Sequence, residues 1–315
     1  MASELVDVLR LLLGDPPHPS VLSDDAGIDG WWALHQRVAQ PYATTVGRAF
    51  AAGFAMDRLG YAFASGYTEA LSHLVPTLEG HRAALCATEK GGGHPRAMET
   101  RLEEVEDRYR LVGEKSFVTL GAHAEELLVV ACIGTDDHER KKLRLVRIPK
   151  DRDGVRLVEG PASPFVPEIP HARLLLEGAR VSRDEVLPGD GYEDYVKPFR
   201  TVEDLHVMAA ALGYVAQAMR RVDAPREHLE ALGELATSCF ALALAEPLDA
   251  AVHVALGGAW RRFRVLVSEL PWDRTDELTR TRYERDRALF DVAGAVRRQR
   301  LDTAWGRLGR LSIPG

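Results

Sequence analysis

Three stretches of the chain combine residue types and spacing that could do chemistry. The first is Thr88-Glu89-Lys90-Gly91-Gly92-Gly93-His94-Pro95, a glycine-rich turn after a short apolar run. Glycines let backbone N–H groups crowd an anion, and the Thr88 hydroxyl adds a donor. His94 donates only if its ring turns inward, and Pro95 has no N–H. Three glycines also suit a simple flexible turn. The second is Gly113-Glu114-Lys115-Ser116-Phe117-Val118-Thr119-Leu120-Gly121. Phe117 there has the bland reading of a strand aromatic in a β-core, which leaves Lys115 and Thr119 unexplained. The third is Glu203 in Thr201-Val202-Glu203-Asp204-Leu205. A carboxylate of raised pKa is suited to taking a proton. Thr201 followed by Asp204 also reads as a capping-box-like helix start, in which an acidic Glu203 suits the helix dipole.

No metal site is expected. The 11 histidines have no ligand spacing, and His94, His123, His171, His206 and His253 read as surface or hydrogen-bonded structural residues. Cys86, Cys132 and Cys239 are far apart and odd in number, which argues against a disulfide framework or a cysteine-built zinc site. Cys86 and Cys132 lie in apolar runs and read as core residues. No serine or cysteine nucleophile motif is present.

Three textures of sequence must position these stretches. Residues 1–82 are rich in Ala, Leu and aromatics, with Phe50, Phe54, Tyr61 and Phe63 among small residues, and predict an N-terminal helical domain. Residues 83–185 predict a middle antiparallel β-domain, a barrel or sandwich. Within it, Glu106-Asp107 suits a hairpin turn, Leu127 to Ile133 a strand covered on both sides, and Arg173 to Val181 a strand pair. Residues 186–315 predict a C-terminal four-helix bundle. Leu205, Met208, Leu212, Val215 and Met219 form one core-facing stripe, and further helices are expected over 226–246, 248–268 and 276–310. The last should carry Leu301, Trp305 and Leu308 on one side.

With hydrophobic residues at 46 % and charged residues at 28 %, the chain is too apolar for disorder. A net charge of −7 offers no global basic field for nucleic acid or an anionic membrane. The arginines at 297, 298, 300, 307 and 310 read as a solvated helix face with favourable C-terminal charge. The first fourteen residues read as an amphipathic helix rather than a signal peptide, and no apolar run is long enough to span a bilayer, so a cytoplasmic location is expected.

From about residue 45 to 220 this order of elements and motifs resembles the acyl-CoA dehydrogenase family. The resemblance implies a multidomain α+β fold with FAD between the β-domain and the bundle. The turn at 88–95 is similar to the family's Thr-Glu-Pro-Gly-Ala-Gly-Ser-Asp, with His94 and Pro95 in place of Ser and Asp. The resemblance puts Thr88 on the flavin ring and Gly93 and His94 at the pyrophosphate. The 113–121 segment is similar to the family's Gly-x-Lys-x-Trp-Ile-Thr-Asn-Gly strand, which puts Phe117 on the flavin and Thr119 at its edge. Phe165 to His171 with Leu174 to Val181 resembles the strand pair closing the β-domain, and Gly189-Asp190-Gly191-Tyr192 the linker into the bundle. A subset of the family, including isovaleryl-type enzymes, has its catalytic Glu about ten residues before a Gly, which Glu203 and Gly213 match. Glu203 shares a stripe with Val207, Ala210 and Tyr214, where Ala210 and Gly213 would leave room for a ligand.

The family's Phe-Gly-x-Pro arginine loop and its Gln-x-x-Gly-Gly turn have no counterparts here; Val222 to Arg226 and Val254 to Gly258 stand in their places. The resemblance implies an FAD-dependent oxidoreductase that forms an α,β-double bond in an acyl-CoA or other acyl thioester, passes electrons to an unidentified acceptor, and assembles as a homodimer or homotetramer. The losses at the turn and the loop bear on FAD retention and motivate an alternative, a degenerate, non-catalytic partner subunit in a mixed oligomer. A third reading is a flavin-independent enzyme in the same cleft.

Overall fold

The structure, a computed structural model, describes residues 2–14 and 22–309. Its described residues divide into two compact units. A helical unit takes those within Met1–His73, Pro164–Glu168 and Thr201–Gly315, and a β-unit takes Leu74–Ser163 and Ile169–Arg200.

The β-unit contains β1 (Ala83–Cys86), β2 (Arg101–Val105), β3 (Arg108–Thr119), β4 (Glu126–Thr135), β5 (Lys141–Pro149), β6 (Val155–Glu159) and β7 (His171–Val181). They form one sheet in the order β1-β4-β2-β3-β7-β6, with β5 also on β4. The β2–β3 hairpin turns at Glu106, whose φ is +56°. Leu127 to Ala131 are buried without alternation, as the continuous apolar run requires. The pairing is mainly antiparallel, but β1 and β4 are parallel, and β2 touches β4 in parallel at Arg101–Cys132. The intervening β2–β3 hairpin supplies the long return connection that a parallel pair needs.

Two expectations are corrected at the end of this unit. Arg173 to Val181 belongs to a single strand, β7, paired with β3 on one side and β6 on the other. Residues 165–170 form no strand with it. Pro164, Pro167 and Pro170 each remove a ladder donor, and the Val166 N–H donates to Asp286 of the helical unit, to which both residues belong (2.8 Å). Cys86 is buried in the sheet core, whereas Cys132 is only half-buried.

The helical unit contains α1 (Ala2–Leu13), α2 (Gly27–Ala39), α3 (Thr45–Ala55) and most of α4 (Leu59–Leu74), then α6 (Arg226–Ala243), α7 (Ala250–Glu269), α8 (Glu277–Asp286) and α9 (Gly294–Leu308). Its central member is α5 (Lys197–Arg221), which begins within the β-unit. The expected stripe of α5 is buried, and so are Ala209 to Ala211, Tyr214 and Ala216, so this helix has core on all sides rather than on one. A Cβ on Gly213 would stand 2.2 Å from the Phe50 carbonyl oxygen, and one on Gly53 2.0 Å from that of Ala210. Backbone therefore crosses backbone where α3 meets α5, and Ala210 and Gly213 make room for α3 rather than for a ligand. The helix expected over 276–310 is interrupted between α8 and α9 by a tight turn at Arg287–Asp291. Along α9 it is Ala304 that is buried, while Trp305 is 57 % exposed, which corrects the expected inward side.

Candidate cofactor site

The glycine-rich turn rests on a buried ion pair. Lys115 Nζ lies 2.7 Å from Glu89 Oε1, with the lysine fully buried and the glutamate nearly so. The ammonium also donates to the Val130 carbonyl (2.6 Å) and meets Met98 Sδ (2.8 Å), which occupies its three donors. Glu89 further accepts from Thr100 Oγ1 (2.7 Å) and from the N–H groups of Glu99 (2.6 Å) and Thr100 (3.0 Å). Burial pushes the Glu89 carboxyl up, but Lys115 and these donors outweigh it and hold it below its ordinary value. Burial lowers the Lys115 ammonium, partly offset by Glu89. Gly113 fits the same cluster. Its φ is +149°, and a Cβ there would meet Thr100 Cα at 2.6 Å. Gly113 and Lys115 of the second motif thus brace the first motif from beneath.

A regular strand would put Lys115, Phe117 and Thr119 on one face. The pairing of β3 with β7 slips between Lys115 and Val118, so that both of these point inward and Phe117 is re-aimed outward, 55 % exposed. One face of the Phe117 ring stacks on His171, with centroids 4.1 Å apart. Burial lowers the pKa of His171, and its Nδ1 is buried without a hydrogen-bond partner among the described residues. Thr119 pairs with His171 in the β3–β7 ladder. The Ser116 N–H donates to the Thr88 carbonyl (2.9 Å), which ties the bulge to the turn. Phe117 and Thr119 are therefore placed by the pairing of β3 with β7, and Thr88 is tied to the neighbouring Ser116 by a backbone hydrogen bond.

In the turn, Glu89 and Gly92 exchange two backbone hydrogen bonds. A Cβ on Gly93 would sit 3.8 Å from Thr88 Oγ1 and 3.9 Å from a terminal nitrogen of Arg200, so glycine keeps that space open. His94 turns its Nδ1 back to accept from the Arg96 N–H (3.2 Å), capping a short helical turn at Pro95–Ala97. Its neutral ring can donate only through Nε2. Among the described residues the N–H groups of Gly93 and His94 meet no acceptor.

Glu203 lies in the helical unit, half-buried in the second turn of α5. The capping-box reading of Thr201 and Asp204 is overturned, because the helix has already begun at Lys197, after a wider turn at Gly191–Val196 capped by Asp190. Thr201 Oγ1 instead meets His253 Nε2 (3.2 Å), and Asp204 accepts from Arg297 (2.8 Å) and Arg300. Arg297 and Arg300 are thus partners of a buried carboxylate rather than a solvated face; Arg310 lies outside the described residues. One turn beyond Glu203, buried His206 bonds the Val202 carbonyl (2.7 Å) and Thr45 Oγ1 (2.8 Å). Burial lowers its pKa to about 3. Thr45 and His73 border a cavity of about 570 Å³, whose apolar lining includes Leu5, Val46, Phe240 and Leu244. Among the described residues no His, Cys, Asp and Glu side chains are grouped to hold a metal ion, and no helix is long and apolar enough to cross a membrane.

The acyl-CoA dehydrogenase middle-domain family matches residues 84–178, the span holding both motifs. The chain is acyl-CoA dehydrogenase-like. Similar solved structures include the prolyl acyl carrier protein oxidase AnaB, at 16 % identity over 97 % of this chain and 98 % of that one, with a TM-score of 0.71. Butyryl-CoA dehydrogenase from Megasphaera elsdenii also aligns at 0.71, with 15 % identity over 98 % and 99 %. The FAD complex of PigA aligns at 0.70, with 13 % identity over 97 % of each chain. No match was found among curated protein sequences. At these identities the solved structures establish the acyl-CoA dehydrogenase fold.

The residues present fit a flavin dinucleotide. The exposed Phe117 ring suits the isoalloxazine, and the open space at Gly93 with two unpartnered N–H groups suits a phosphate. Lys115, Glu89 and His171 were not singled out from the sequence as parts of this site. Motif spacing could have drawn attention to Lys115 and Glu89, but no local signal marks His171.

Proposed function

We propose that this acyl-CoA dehydrogenase-like protein binds FAD and oxidises an acyl thioester to its α,β-unsaturated product. The observation that carries the reading is the bulge-exposed Phe117 ring beside Thr88 and Gly93. Thr88 and Thr119 would hydrogen-bond the flavin, and Gly93 and His94 would face its pyrophosphate. Bound there, the flavin supplies the acceptor for the β-hydride. Glu203 would take the α-proton on a carboxylate oxygen, and the 570 Å³ cavity bordered by Thr45, the hydrogen-bond partner of His206, offers apolar volume on the scale of a small-molecule site. The name of AnaB, a prolyl acyl carrier protein oxidase, extends the candidate substrates from CoA thioesters to carrier-protein thioesters. Assembly as a homodimer or homotetramer belongs to the same proposal, with Val265 on α7 and Val296 and Trp305 on α9 offering exposed apolar surface.

The test is the visible spectrum of the purified protein with and without added FAD, followed by anaerobic titration with acyl-CoA and acyl-carrier-protein thioesters. Flavin absorbance that bleaches is expected. Glu203→Gln should keep the flavin spectrum and lose bleaching by about a hundredfold or more in rate. A protein that binds no FAD would sink the proposal. The His94 ring turned to the Arg96 N–H, next to a proline, favours as a second reading a flavin-poor partner subunit. Co-purification with a complete dehydrogenase would select it, and full activity of the lone chain would reject it.

A further inference from the structure

Arg200 stands beside the turn without any role assigned so far. It is half-buried in the first turn of α5, in the β-unit, and one of its terminal nitrogens lies 3.4 Å from the Gly93 carbonyl oxygen. Its guanidinium carbon sits 5.8 Å from the centre of the Tyr192 ring. Among the described residues no carboxylate pairs with it. A half-buried guanidinium without a counter-charge keeps its donors available to an anion.

The surroundings point to where that anion goes. The same nitrogen would be 3.9 Å from a Cβ on Gly93, and Thr88 Oγ1 would be 3.8 Å from it on another side, so one open space is bounded by a guanidinium and a hydroxyl. Among the described residues the N–H groups of Gly93 and His94 beside it meet no acceptor. Lys90 and Arg96 are exposed on the same turn, and Lys141 Nζ donates to the carbonyls of Arg96 and Met98 next to it. All of these groups are donors, and the Glu89 carboxylate below them is already consumed by Lys115, Thr100 and two N–H groups.

We propose that Arg200 and the Gly93 and His94 N–H groups form a phosphate site, in which Arg200 supplies the charge that fixes the pyrophosphate of the dinucleotide while the Thr88 hydroxyl on the other side of the space is left for the flavin ring. The inference rests on the flavin reading and deepens it. Arg200 offers a planar pair of donors to a phosphate oxygen where His94 and Pro95 have reduced what the turn itself can donate.

The experiment titrates the full-length apoprotein, wild type and Arg200→Gln, with FAD and with riboflavin, reading flavin fluorescence and the melting temperature of the apoprotein. Arg200→Gln should weaken FAD by about tenfold or more, leave riboflavin within about twofold, and leave the apoprotein melt unchanged. Arg200→Lys should recover part of the loss, and FAD binding to the wild type should fall more steeply with salt than binding to Arg200→Gln. Equal FAD affinity of wild type and Arg200→Gln overturns the assignment while leaving the flavin reading intact. An equal loss of riboflavin assigns Arg200 to shaping the fold and also overturns it. A wild type that binds neither flavin removes both proposals.

Discussion

Replacing Lys115 by methionine puts the buried pair beneath the turn to a quantitative test. The substitution removes the ammonium from Glu89 and from the Val130 carbonyl and leaves the carboxylate buried. Breaking a buried pair from one side costs about 3–5 kcal/mol. Glu89 keeps its bonds from Thr100 Oγ1 and two N–H groups, which places the loss near the lower end, about 3 kcal/mol. For a unit of this size that lowers the melting temperature by roughly 10 °C at pH 7.

The pH dependence distinguishes this cause from lost packing. In the wild type the folded-state pKa of Glu89 is depressed, so its contribution is present above the unfolded value and is lost as pH falls through the folded one. Without Lys115, burial dominates and the folded pKa rises above the unfolded value. The variant is then penalised at neutral pH and relieved on acidification. The stability gap between wild type and Lys115→Met should therefore narrow from pH 8 to pH ~4.5 in urea unfolding followed by circular dichroism. Glu89→Gln combined with Lys115→Met should show no such narrowing. A gap below about 1 kcal/mol, or one equal at both ends of the pH range, refutes the reasoning.

Gly93→Ala adds a Cβ that meets no protein atom closer than 3.8 Å, so its apoprotein should melt with the wild type while FAD affinity falls by about tenfold or more; an unchanged flavin titration refutes it. His206, with its folded pKa depressed to about 3, should make folding weaken as pH drops below the ordinary histidine value, by about 2 kcal/mol at pH 5, because the unfolded chain binds the proton first. The neutral replacement His206→Gln should flatten that slope, and an NMR titration that shows His206 protonating near pH 6 would count against it.

Both sequence motifs mark the β-unit correctly because their residues are local: a turn of glycines, a hairpin at Glu106-Asp107, and a continuous apolar strand all announce themselves within ten residues. Local spacing is a poorer guide to what each motif residue does. Lys115, Phe117 and Thr119 share a face by period alone, and only the slip against β7 separates a buried brace from an exposed ring. Thr201 and Asp204 have the spacing of a helix cap, yet the helix begins earlier, at Lys197, because Asp190 caps a wider turn before it. Glycines likewise announce closeness but not what comes close: Gly213 admits the backbone of α3, while Gly93 keeps open a space beside Arg200.

By itself, the sequence determined the order of helical, β and helical regions, the glycine-rich turn, and the family resemblance of the 88–121 stretch, since those depend on neighbours a few residues away. Tertiary structure alone decided that Glu89 is paired with Lys115, that His171 backs Phe117, and that Arg200 stands over Gly93. Those partners are distant in the chain, and strand register and helix placement, rather than local propensity, bring their side chains within reach.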